Sequence, residues 1–173
     1  MRSFVLFIVV ALLMSAVVVS AQEGKVNFSG EWALNADKSE FGGGGGGGGR
    51  GGGRGMGSSK MIVEQKDNAL TVETFRQNRD GEEVSTTNTY TLDGKKSNNE
   101  SNFGTTVSVV NWSKDGKTLT IESTMTGSRG GQEFTMESTA VWSLEGNILT
   151  VETTRSTPRG EMTSKAVYDK AVK

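Results

Sequence analysis

Histidine and cysteine are both missing from the 173 residues, which removes most of the chemistry a chain of this size usually carries. Without an imidazole there is no ordinary general base near neutral pH. Without imidazole or thiol there is no Ser-His-Asp or Cys-His nucleophile and no ordinary zinc site. A carboxylate pair can still hydrolyse a glycosidic bond, but the 20 acidic residues are scattered and show no readable pairing. The sequence therefore points away from an enzyme and implies neither metal nor cofactor. What remains is recognition by arginine, whose planar fork makes bidentate contact with carboxylate or phosphate. Seven arginines follow residue 21: Arg50, Arg54, Arg76, Arg79, Arg129, Arg155 and Arg159. Arg76 and Arg155 fall at positions expected to face inward, with the polar Thr86, Asn88, Ser138 and Thr153. These six are the candidate contacts for a small ligand of anionic or amphipathic character.

Strands must position them. Beyond residue 21 no stretch has a helical apolar period, whereas apolar and polar residues alternate again and again. Leu70-Thr71-Val72-Glu73-Thr74, Leu119-Thr120-Ile121-Glu122-Ser123 and Leu149-Thr150-Val151-Glu152-Thr153 repeat one pattern, each just after a turn at Asp67-Asn68, Asp115-Gly116 or Glu145-Gly146. Tyr90, Trp112 and Trp142 each stand three residues before an acidic turn residue, at Asp93, Asp115 and Glu145. The repeating unit is a hairpin. With two-residue loops, Trp112 faces Leu119 and Val110 faces Ile121; likewise Trp142 faces Leu149 and Ala140 faces Val151. The pattern predicts ten antiparallel strands, near 26–34, 60–66, 69–77, 82–92, 95–100, 104–113, 117–126, 132–144, 147–155 and 160–170. They are expected to close as an all-β, up-and-down barrel, with the single Pro158 in a turn where it costs no ladder bond.

In this register Thr71, Glu73, Thr120, Glu122, Thr135, Glu137, Thr139, Thr150, Glu152, Thr163 and Lys165 point outward, with Val107, Val109 and Val167 as exceptions. Such an exterior wants water and does not suit a lipid-facing barrel. Bulky Tyr90, Trp112, Leu119, Trp142, Leu149 and Tyr168 point inward near the short turns and are expected to plug that end. Farther along the same strands lie Thr74, Thr86, Asn88, Ser97, Ser108, Ser123, Ser138, Thr153 and Ser164. Small polar side chains do not fill a ten-stranded interior, so this half is expected to hold a hydrated space. An up-and-down meander puts every arginine after residue 21 at the second, open end.

The flanking segments bound the rest. Met1-Arg2-Ser3, the apolar run Phe4 to Val19 and the small Ser20-Ala21 have the layout of a secretory signal, which predicts a signal peptide at 1–21 and a single β-barrel domain at 22–173. The expected location is secreted or periplasmic, with no stable membrane insertion after cleavage. Removing Arg2 from the 19 basic residues leaves 18 against 20 acids, a net charge of about -2 that does not suit a nucleic-acid partner. Residues 42–57 hold 13 glycines with Arg50, Arg54 and Met56. So little apolar surface predicts a flexible Gly-rich loop, and the tract lacks the aromatics of RNA-binding arginine-glycine segments.

Phe28-x-Gly30-x-Trp32-x-Leu34 resembles the opening strand of the calycins, the lipocalins and fatty-acid-binding proteins, whose tryptophan packs near the closed end of a barrel. The longer run Gly30 to Gly42, with Thr157 to Lys170, is similar to exported lipocalin-like bacterial proteins of uncharacterised function. The resemblance implies Gly30 and Trp32 as structural residues of a closed end shared with Tyr90, Trp112, Trp142 and Tyr168. Two departures stand out. Lipocalins set a late Arg against the tryptophan, but no Arg follows Arg159 and Lys170 lacks the planar fork. Fatty-acid-binding proteins use Arg-x-Tyr on the last strand, where this chain has Ala166-Val167-Tyr168. The sequence thus predicts an exported, monomeric small-molecule carrier; the alternative is an interaction module for protein or envelope surface without a small ligand.

Overall fold

The computed structural model describes residues 24–41, 58–78, 80–157 and 160–171. The expected signal peptide, the glycine-rich tract at 42–57, Arg79, Pro158 and Arg159 lie outside the described residues. The strands are β1 (Gly30–Leu34), β2 (Glu40–Phe41), β3 (Lys60–Lys66), β4 (Ala69–Gln77), β5 (Glu83–Thr91), β6 (Lys96–Ser101), β7 (Gly104–Trp112), β8 (Thr118–Arg129), β9 (Gln132–Glu145), β10 (Ile148–Thr157) and β11 (Gly160–Lys170). All pairings are antiparallel, in the order β5-β4-β3-β1-β11-β10-β9-β8-β7-β6, with β2 also on β11. The product is a nearly closed barrel of ten strands, as the alternating pattern predicts.

The expected first strand at 26–34 begins only at Gly30. Residues 24–29 instead cross beneath the barrel, where the Val26 N–H donates to the Gly116 carbonyl in the β7–β8 turn. The reason is Phe28. Its ring, 0 % exposed, stacks on Trp112 at 5.9 Å and meets Trp142 edge-on at 5.8 Å, burying more than a strand position at the rim would. Leaving the ladder strands backbone groups, and Gln65 satisfies them: its Oε1 accepts from the Phe28 N–H at 3.0 Å and its Nε2 donates to the Val26 carbonyl at 3.2 Å.

Register follows the loops. Trp112 pairs with Leu119 and Val110 with Ile121, as expected. In the next hairpin but one, Glu145 pairs with Ile148, so the loop is Gly146-Asn147 rather than Glu145-Gly146. Trp142 therefore opposes Val151, not Leu149, and Ala140 opposes Thr153, not Val151. Gly146 has φ 60° while Asn147 keeps a negative φ, the pattern of a type II′ loop with glycine at its first residue. The offset of two residues leaves every side chain on its expected face, because strand side chains repeat every second residue.

One unexpected short strand explains an apparent misfit. Outward-facing Val167 is 4 % exposed because the chain between β1 and β2 runs alongside it. Ser39 mends the ladder there: its Oγ accepts from the Val167 N–H at 2.9 Å and donates to the Asn35 carbonyl at 2.6 Å.

Candidate functional site

The turns at 67–68, 93–95, 113–117 and 146–147 share the end that Phe28 plugs, and the mouth lies opposite. Phe28, Trp32, Leu70, Leu119, Trp142, Leu149 and Tyr168 form the buried cluster, with Tyr90 and Trp112 packed against it. Trp32 donates its Nε1–H to the Phe28 carbonyl at 3.0 Å, and the Lys170 ammonium stands 5.4 Å from its ring centre. Lys170 acts there as a point charge on the indole face rather than as a planar fork. Burial pushes both Tyr90 and Tyr168 up to about 12, so the phenols stay neutral. Tyr168 is 4 % exposed, and its hydroxyl has no hydrogen-bond partner among the described residues.

Above this plug the inward-facing polar residues divide sharply. Ser97, Ser108, Ser123 and Ser138 form one cross-strand row that ends at Arg155, each paired with the next across β6 to β10. The first three hydroxyls are spent on structure. Ser108, 1 % exposed, bonds Ser123 at 2.9 Å, and Ser97 accepts from the Thr91 N–H at 2.8 Å. Ser97 works with Asn99, whose side-chain amide accepts from the Thr89 N–H at 2.8 Å and donates to its carbonyl at 3.1 Å. These bonds close the seam between β5 and β6, the two strands at the ends of the sheet. Ser97, expected as lining, is therefore part of the closure.

The six candidate contacts stand on two separate walls. Arg76, Thr86 and Asn88 lie on β4 and β5; Ser138, Thr153 and Arg155 lie together on β9 and β10, where Ser138 directly opposes Arg155. Four strand steps separate Arg76 from Arg155, roughly 19 Å around the sheet at the usual strand spacing, so they do not make one clamp. Both are exposed, and neither forms an ion pair among the described residues. Asn88, Ser138 and Thr153 are half-buried and Thr86 is exposed. The side chain of Arg129, and Arg50, Arg54, Arg79 and Arg159, lie outside what is described, so the expected ring of seven is tested at these two alone.

Sequence reasoning missed the apolar part of the mouth. Met125 opposes Met136 and Gly127 opposes Phe134, continuing the inward faces of β8 and β9 beyond the serines. Phe103, 61 % exposed, comes alongside from the β6–β7 turn. The close approach depends on two glycines, because a Cβ on Gly104 would run into the Thr126 carbonyl and one on Gly127 into that of Phe103. Phe103, Met125, Phe134 and Met136, with Gln132 and Glu133, line a concavity of about 560 Å³. The signal was present in the sequence: Leu119, Ile121, Ser123 and Met125 are one unbroken inward series. A second concavity, of about 650 Å³, lies on the outer face, where Val107 and Val109 sit beside Glu122, Glu137 and Glu161.

A ten-stranded antiparallel barrel, plugged at one end and seamed between its first and last strands in sheet order, is the architecture of the fatty-acid-binding and lipocalin-like proteins. The chain is similar to a zebrafish ileal bile acid-binding protein solved with cholic acid, with TM-score 0.50 and 16 % identity over 83 % of this chain and 98 % of that one. It is also similar to an abundant heat soluble (SAHS) protein of Ramazzottius varieornatus, with TM-score 0.54 and 11 % identity over 83 % and 95 % of the two chains. Fatty-acid-binding protein 1 of Echinococcus granulosus gives TM-score 0.52 and 15 % identity over 84 % and 98 %. No protein-family model and no curated protein matches the sequence. The likeness is one of fold.

Proposed function

We propose that the protein is an exported carrier that takes an amphipathic anionic small molecule through the mouth of the barrel. The observation that carries this reading is the register at the mouth: Arg155, with no ion pair among the described residues, opposes Ser138 on β9, and two residues farther along the same inward face Met136 begins the apolar concavity of Met125, Phe134 and Phe103. The arginine takes the head group and the methionines, which adapt to irregular shapes, take the chain. Arg76 on the opposite wall adds positive potential, and the binding of cholic acid by a protein of the same fold is in keeping with the reading. Export rests on the signal-like residues 1–21.

Calorimetric titration with dodecanoate tests it. The wild type binds, binding weakens as salt is raised, and the Arg76→Ala, Arg155→Ala double variant loses about tenfold to a hundredfold, the usual scale for charge-assisted hydrogen bonds. Equal affinity in the double variant, or indifference to salt, overturns the reading. The outer concavity over Val107 and Val109 favours a second reading, an interaction module that uses its outer face. Native mass spectrometry of protein from its own host separates the two, because a carrier retains a ligand.

A further inference from the structure

Within the site just described, the fold uses some inward-facing hydroxyls and leaves others free, Thr86 on β5 and a contiguous group on β9 to β11. Ser97, Ser108 and Ser123 are bonded within the barrel. Ser138 on β9, Thr153 on β10 and Ser164 on β11 face the same interior and make no hydrogen bond among the described residues. They are neighbours: Thr153 directly opposes Ser164, and Ser138 opposes Arg155 one step toward the mouth. Directly opposed residues put their Cβ atoms about 4.5 to 5.5 Å apart. At the foot of the same wall Tyr168, 4 % exposed, presents a hydroxyl that also lacks a partner. None of these accessible hydroxyls is spent on a described residue, so this wall has free hydrogen-bonding capacity with a guanidinium at its outer edge.

Resting on the carrier reading, we propose that the ligand's head group is polyhydroxylated as well as anionic, as in a glycosyl uronic acid carrying an alkyl tail. An alkyl carboxylate has oxygens only at its end and satisfies Arg155 alone. A sugar acid adds a run of hydroxyls, each both donor and acceptor and so able to bond any of Ser138, Thr153 and Ser164. Its carboxylate sits on Arg155, its hydroxyls lie down the β9 to β11 wall, and its tail lies against Met125, Phe134 and Met136. The wall then acts as a specificity determinant: hydroxyl groups evolved to bond a polar head discriminate against a ligand that leaves them unpaired.

The test compares dodecyl glucuronide with dodecanoate, which share tail length and charge. The proteins are the wild type, Ser138→Ala, Ser138→Ala with Thr153→Val, and Arg155→Ala. None of these removes the partner of another described side chain, so thermal melts of the variants are expected to match the wild type. The wild type prefers the glucuronide by about tenfold or more, Ser138→Ala costs about fivefold for it, and the double variant erases the preference while leaving dodecanoate within about twofold. Arg155→Ala weakens both probes. Equal wild-type affinities, or a preference that survives the double variant, overturn the polyhydroxylated head group and leave the carrier standing. Binding of neither probe to the wild type overturns both.

Discussion

At the closed end of the barrel, the backbone groups of the segment before β1 are met by side chains, Gln65 answering Phe28 and Val26 and the Trp32 indole donating to the Phe28 carbonyl, although the buried Trp112 Nε1–H and the Tyr168 hydroxyl find no partner among the described residues. At the mouth, Ser138, Thr153 and Arg155 face inward with no such answer among the described residues. The two ends are made from the same strands, so the difference lies in what each interior position is asked to do. One end is closed by aromatic rings and accounts for the stability of the fold. The other keeps donors, acceptors and a cation free, as a binding surface must.

That contrast breaks most visibly through Trp32. Trp32→Ala removes a 0 % exposed indole and is expected to cost about 3 to 5 kcal/mol in denaturant unfolding, whereas Phe103→Ala at the mouth stays within about 0.5 kcal/mol. Comparable losses would place the core at the wrong end. A smaller effect is expected at Gln65, where substitution by Ala leaves the Phe28 N–H and Val26 carbonyl unanswered, at about 1 to 3 kcal/mol. Its companion control, Thr153→Val, removes a hydroxyl with no partner among the described residues and should leave the same urea midpoint unchanged.

The smallest effect appears only in alkali. Burial raises the phenols of Tyr90 and Tyr168 from 10.0 to about 12, so folding favours their neutral form. Stability from this source is complete below pH 10 and is lost as pH rises through 12. Melting temperature should therefore fall across that window and fall less in Tyr168→Phe. A flat profile in the wild type would show that the closed end admits water to its phenols.

The alternation of residues made the strands legible almost to their ends. Those expected at 60–66, 69–77 and 160–170 coincide with β3, β4 and β11, and Arg76, Ser138, Thr153 and Arg155 face inward as the period requires. Period two fixes a face and nothing more. It could not tell that Ser97 closes a seam while Ser138 stays free, because both are small polar residues on the inner face. Following the inner series past Ser123 puts Met125 on the inner face, but that Met136 sits opposite it at the mouth depends on the β8–β9 register, which period two does not give.

Within each segment the sequence determined the strands, their inner and outer faces and the choice of residues for the two ends, because these follow from local geometry and from the hydrophobicity of each residue's own side chain. Tertiary structure alone decided that Phe28 leaves the sheet to plug it, that Gly146-Asn147 sets the β9–β10 register and that Lys170 stands on Trp32. It also decided which hydroxyls are spent. Hydrogen bonds such as those from Gln65 to Val26 and from Asn99 to Thr89 link different segments of the chain, and their worth depends on burial that neither residue specifies by itself.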